Sequence, residues 1–215
     1  MERSVLVFAP HNDDELLGVG GTVLKLSGKG YTVTVCEVTS GPSFQRIKEE
    51  AIKAHQVLGV KEAVFLELPS SKLEGLPKAK MCLQFGEVVK QVRPEIVFIP
   101  HYGDLHLDHR WVVESALVAL RPLNAPFVKK ILAYETLSET EWNSPSAANA
   151  FLPNYWVDVS EELDRKLAAM ECYQSQLHDF PHPRSLQAIR ALAEYRGSTI
   201  GTKAAEAFML IRGIA

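Results

Sequence analysis

At 215 residues, with 47% hydrophobic and 23% charged side chains, the chain can bury one substantial core, and neither disorder nor a fibrous architecture suits such a composition. A formal net charge of -3 leaves no basic excess for a phosphate backbone, which argues against nucleic acid as a partner. The apolar part of Met1–Ala9 is too short for a signal peptide, no stretch approaches about 18 uninterrupted apolar residues, and Cys36, Cys82 and Cys172 have no CxxC spacing and read as reduced core thiols. A cytoplasmic location without membrane insertion is therefore expected.

Val5–Ala9 is short, apolar and partly β-branched, the pattern of a strand buried on both faces. Directly behind it stands Pro10-His11-Asn12-Asp13-Asp14-Glu15, one imidazole crowded by three carboxylates. Helical spacing follows over Leu16–Leu26, where Gly18, Gly20 and Gly21 would let the helix approach the sheet closely. Thr32–Val38 reads as the second strand, Gln45–Leu58 as a helix stopped by Gly59, Ala63–Leu66 as a strand and Ala79–Val92 as a helix. Ile96–Pro100 is a fourth strand, and behind it lies a second cluster, His101, Asp104, His106, Asp108 and His109, with a helix after Asp108. Beyond residue 124 the pattern loosens: Ile131–Glu135, Tyr155–Val159 and Ala207–Ile211 are strand candidates, Glu161–Gln174 and Leu186–Arg196 helix candidates. No repeat, linker or low-complexity tract interrupts the chain.

Alternating strands and helices predict a single α/β domain over 1–215, a Rossmann-like three-layer fold with a mostly parallel sheet and helices on both faces. In such folds ligands gather at the carboxyl ends of the strands. Both clusters fall on that edge.

A hydrolytic zinc site takes three ligands from His, Asp and Glu and keeps a fourth position for water. His11, Asp14 and His109 would supply that set; Asp13 would accept the water's proton, and His106 would stabilise an oxyanion or protonate a leaving amine. Asp108 would orient one of these imidazoles. The competing reading makes Asp13 or Asp14 the cap of the first helix and Asp108 the cap of the later one, but a cap needs one acid and three stand together. Nucleotide binding is a further alternative, with Gly18-Val19-Gly20-Gly21 after the first strand and Glu37 at the end of the second, where a ribose-binding acid would stand. It fails because Val23 replaces the third glycine and three acids occupy the loop that should cradle phosphates.

The run Pro10-His11-Asn12-Asp13-Asp14-Glu15, Gly20-Gly21 and His106-Leu107-Asp108-His109 resembles the PIG-L/LmbE-like family of zinc-dependent N-deacetylases, and further likeness runs through Arg46, Glu49-Glu50-Ala51, Leu58-Gly59-Val60, Asp158–Lys166, Ser175-Gln176 and Ala205–Phe208. The resemblance implies removal of acetyl from an N-acetylglucosamine-type sugar or its nucleotide, lipid or glycoside conjugate. It implies His11, Asp14 and His109 as zinc ligands, Asp13 as general base, His106 as second catalytic imidazole with Asp108 as its partner, and Arg46 as a sugar contact. Asn12 replaces the family's usual proline, and Ser70 or Ser71 stands where many members carry an aspartate.

Tyr134–Trp142 and Phe180–Ser185 read as pocket loops, from which Trp142, His182 and Arg184 are candidate substrate contacts, since aromatics and arginine suit sugars and attached phosphates. These runs are similar to members associated with bacterial surface-polysaccharide pathways. His and carboxylate ligands also accept Fe2+ and other divalent ions. The sequence leaves open whether the chain forms a homo-oligomer, and a zinc amidase for another amide or a non-catalytic sugar- or metal-binding protein remains the alternative.

Overall fold

A computed structural model describes residues 3–215; Met1 and Glu2, part of the expected domain and of the amino-terminal run, lie outside the described residues. In chain order the elements are β1 (Ser4–Ala9), α1 (Asp14–Gly28), β2 (Thr32–Ser40), α2 (Phe44–Leu58), β3 (Glu62–Pro69), a 3-10 turn at Leu73–Gly75, α3 (Lys78–Val92), β4 (Ile96–Pro100), α4 (Leu107–Ala119), β5 (Lys130–Tyr134), β6 (Tyr155–Asp158), α5 (Leu163–Met170), α6 (Leu186–Ser198) and β7 (Ala205–Gly213). They build one seven-stranded sheet in the order β3-β2-β1-β4-β5-β7-β6. β1 through β5 run parallel, and β7 runs antiparallel to both β5 and β6.

β1 is fully buried because its alternate side chains serve two cores. Val5, Val7 and Ala9 join the layer of α1, α2, α5 and α6, while Leu6 and Phe8 join that of α3 and α4. From β1 the chain winds out through β2 to β3, then returns to place β4 on β1's other side. The reversal lies between β1 and β4, so the two polar clusters leave neighbouring strands at the crevice where ligands bind in such sheets.

α1 sits tight against the sheet, as its glycines suggest. A Cβ at Gly18 would fall 2.1 Å from the ring of Tyr134, whose hydroxyl donates to the Phe8 carbonyl at 2.8 Å. A buried ion pair flanks the same helix: Lys166 donates to the Leu17 carbonyl and to Glu206, and Glu206 accepts from the Gly21 and Thr22 amides.

Several expected boundaries move. β3 extends past Ala63–Leu66 because Glu62 before it and Leu68 and Pro69 after it still pair with β2, the last two across a bulge. α5 stops at Met170 rather than Gln174, where three-residue bonds from Cys172 and Tyr173 to Ala169 and Met170 tighten the turn and bury Tyr173. Of the three thiols only Cys36 is in the core; Cys82 and Cys172 are half-buried because each lies toward the solvent side of its helix or turn.

Candidate metal centre

The turn after β1 is held by Thr39, whose amide and hydroxyl both donate to the Pro10 carbonyl, at 3.0 and 2.8 Å. Asp13 then adopts φ 142, a left-handed conformation disfavoured for a side chain, and α1 begins at Asp14. Neither acid acts as a side-chain cap for α1. Asp14 instead turns back: its Oδ2 accepts from the His11 amide at 2.8 Å and stands 3.2 Å from both His11 Nδ1 and His109 Nε2. Asp14 Oδ1 and His109 Nε2 are buried without a hydrogen-bond partner among the described residues.

His109, in the first turn of α4, arrives from β4. Its Nδ1 lies 2.8 Å from Asp104 Oδ2, and Thr140 donates to the other Asp104 oxygen at 2.6 Å. That carboxylate favours a proton on Nδ1 and leaves the Nε2 lone pair facing Asp14. Asp108 is not the helix cap that the competing reading made it: His106 is the cap, its Nδ1 accepting from the Asp108 amide at 3.1 Å. The Asp108 carboxylate accepts from the Ser71 amide at 2.7 Å and stands 3.2 Å from His11 Nε2, against 3.9 Å from His106 Nδ1. It therefore orients His11 more closely than His106, because Ser71 draws it toward the end of β3.

Burial opposes charge on His11, but Asp108 and Asp14 outweigh it and push the imidazole up to about 9. His106 is pushed down to about 4 by burial and by the neighbouring His11. Burial raises Asp13, Arg184 opposes and Asp14 and Glu15 add, leaving the carboxyl at about 7.

Arg184 reaches this centre from the loop before α6. It donates to Asp13 Oδ2 at 3.0 Å, to Ser138 at 2.9 Å and to Gln176 at 3.1 Å, and lies 3.7 Å from Glu139. His11, Asn12, Asp13, Ser70, His106, Glu139 and Arg184 line an open cleft of about 250 Å3. A larger cavity of about 420 Å3 between the 135–151 loop and α6 contains none of these residues; the chemistry-bearing groups open into the smaller one.

The remaining expected site residues lie outside that lining. Arg46 pairs with Glu50 one helical turn on, its side chain 65% exposed. Trp142 is exposed with its ring edge toward His182, and His182 packs on His178 and accepts from the Arg184 amide. His101, part of the second cluster, faces the Asn149 carbonyl at 2.9 Å, away from the centre. Glu37 forms no nucleotide site; it is buried 3.2 Å from His55. Glu139 and Gln176 fall in runs that the sequence picks out, Tyr134–Trp142 and Ser175-Gln176, but without a role of their own, since irregular loops carry them and no spacing marks them; Asp104 is likewise visible in its cluster without a role.

His11, Asp14 and His109 bring donor atoms within 4.8 Å of one another. Two imidazoles and a carboxylate, with unsatisfied Asp14 Oδ1 and His109 Nε2 among them, are the donor chemistry of a zinc-type site. The PIG-L family profile, GlcNAc-PI de-N-acetylase, matches residues 6–120. The chain belongs to the PIG-L family. Diacetylchitobiose deacetylase of Thermococcus kodakarensis is 25% identical over 99% of this chain and 84% of its own length. The conserved protein TT1542 of Thermus thermophilus superposes with a TM-score of 0.81 at 27% identity, covering 98% of this chain and 96% of that one. GalB, the 4-carboxy-2-hydroxymuconate hydratase of Pseudomonas putida, superposes with a TM-score of 0.78 at 18% identity, covering 99% and 98%, a likeness of fold alone.

Proposed function

We propose that this PIG-L member is a metal-dependent N-deacetylase of an N-acetylglucosamine-type sugar or its conjugate, with one catalytic domain spanning 1–215. The observation that carries the reading is the pairing of the His11, Asp14 and His109 donors with a buried Asp13 at the mouth of one cleft. The fold by itself does not choose between amide hydrolysis and water addition; the family profile and the diacetylchitobiose relative favour hydrolysis.

His11, Asp14 and His109 would hold Zn2+, and Fe2+ suits the same donors. When bound, such an ion lowers the pKa of water toward about 7 and polarises the acyl oxygen. Asp13 accepts the proton of the attacking water, oriented by Arg184 on its Oδ2. His106 accepts from the Asp108 amide on Nδ1, so a neutral ring carries its proton on Nε2 and donates it as a hydrogen bond to the developing oxyanion. Breakage of the amide C–N bond then draws the proton from Asp13 to the departing amine, releasing acetate and the free amino sugar. A cleft of about 250 Å3 suits one sugar ring. Arg46, next to the cleft residue Ile47, and the Trp142–His182 pair would meet the remainder of a conjugate.

The test is metal content of the purified protein and of Asp14→Ala, with amine release followed on acetylated sugars, acylated amino acids and an enol-acid hydratase substrate. One metal equivalent lost in the variant, with chelator-sensitive release from sugars alone, is the expected result. Turnover of another class, or sugar release indifferent to metal, overturns the reading.

A further inference from the structure

Beneath the centre lies a second cluster that the proposed reaction does not use. Glu15 of α1, Glu37 of β2, His55 of α2 and Tyr173 after α5 meet between helix layer and sheet, each no more than 4% exposed or fully enclosed. The Tyr173 hydroxyl donates to Glu15 Oε1 at 2.6 Å. His55 Nε2 stands 3.4 Å from that oxygen and 3.2 Å from Glu37 Oε1, so one ring nitrogen faces two carboxylates. The other Glu15 oxygen, Oε2, accepts from the backbone amide of Asp13 at 3.1 Å.

That last bond links the cluster to the reaction. Asp13 stands at φ 142, a conformation that persists only where its surroundings impose it. Glu15 grips its amide from below while Arg184 grips its carboxylate from the cleft. A buried carboxylate holds one direction only if its remaining oxygen is also engaged, and Tyr173 and His55 engage it. Glu37 Oε1, 3.2 Å from the same Nε2, keeps that edge of the imidazole turned inward. We propose that Tyr173, His55 and Glu37 are positioning residues that act through Glu15 to fix the backbone of Asp13 and so set turnover. This rests on Asp13 as the proton acceptor. The Tyr173 hydroxyl is hydrogen-bonded to Glu15, whereas His55 Nε2 and the Glu37 carboxylate meet at ion-pair distance without a hydrogen bond. Since Glu15, Glu37 and His55 also bring ligand atoms within 4.8 Å of one another, metal content is measured beside turnover to separate an imidazole-centred cluster from an ion.

Tyr173→Phe keeps the ring and deletes the hydroxyl, so it is the primary test. With kcat, KM, metal content and thermal midpoint measured together on the metal-loaded protein, about a tenfold fall in kcat is expected, with KM and one metal equivalent unchanged. His55→Leu should fall at least as far, and His55→Gln, which restores an N–H donor, should recover most of the loss. In Asp13→Asn, whose residual turnover is followed at high enzyme concentration, adding Tyr173→Phe should cost nothing more. Wild-type kcat in folded Tyr173→Phe, or its full loss repeated on the Asp13→Asn background, overturns the inference while leaving the function reading intact. So does a second metal equivalent that disappears in His55→Leu, which would assign the cluster to an ion. Wild-type turnover in Asp13→Asn is a separate result that removes Asp13 as the proton acceptor and the inference with it, while the function reading stands or falls on the metal and substrate test. If His55→Leu does not fold, Tyr173→Phe decides alone.

Discussion

Asp104→Asn would separate ligand identity from ligand orientation, because it leaves His109 in place and alters only the group that fixes its tautomer. Metal affinity should weaken about 10–100-fold, read by competition with a coloured chelator. At the inner cluster, burial opposes charge on His55, but Glu15 and Glu37 outweigh it and push the imidazole up to about 10, and burial together with Glu15 holds Glu37 well above the carboxylate range. A folded pKa above the unfolded value of about 6.5 means that stability from His55 is full below that pH and drains as pH rises toward 10; raised Glu37 drains in the same direction. The thermal midpoint of metal-free protein should therefore decline from pH 7 to 10, and the double variant His55→Leu/Glu37→Leu should decline less; parallel curves would contradict this. The meeting of His11, Asp14 and His109 was legible in the sequence because two dense motifs follow two recognisable strands. The inner cluster was not, since Glu37 looked like a nucleotide acid and nothing in α2's spacing ties His55 to it; four separate elements must pack before these groups meet.

α1 is the element on which the centre rests, and its packing gives two further expectations. Gly18→Ala would drive a methyl into the Tyr134 ring and should destabilise by about 1–3 kcal/mol, seen as a lower denaturation midpoint with metal stoichiometry intact. Lys166→Met would strand Glu206 beside the Gly21 and Thr22 amides, at a cost of about 3–5 kcal/mol for a buried pair broken on one side; adding Glu206→Gln should restore part of it. The glycines announced this close approach, whereas the ion pair did not announce itself: Lys166 and Glu206 fall in two runs that carry the family resemblance, but no spacing ties a helix residue to a strand residue that far along the chain. β1 and β4 were readable as strands buried on both faces. β6, four residues long and half-exposed, carries too little pattern to reveal its antiparallel partner.

Over the whole molecule, the candidate ligands come from the β1–α1 turn and from the start of α4, so an ion would tie together the segments that follow two neighbouring central strands. Binding to the folded state alone should raise its stability by about 4 kcal/mol at free metal 1,000-fold above Kd, and a chelator should lower the melting midpoint of the wild type but not of Asp14→Ala. Among the described residues no helix is long and apolar enough to cross a membrane. The placement of β7 between β5 and β6 dictates an order of assembly. β6 is made before β7, yet β7 alone joins it to the sheet, so the nascent β6 has no edge to dock on and must wait. The half of the sheet that carries both motifs precedes β7 in the chain, but its far edge is sealed only once β7 has emerged from the ribosome.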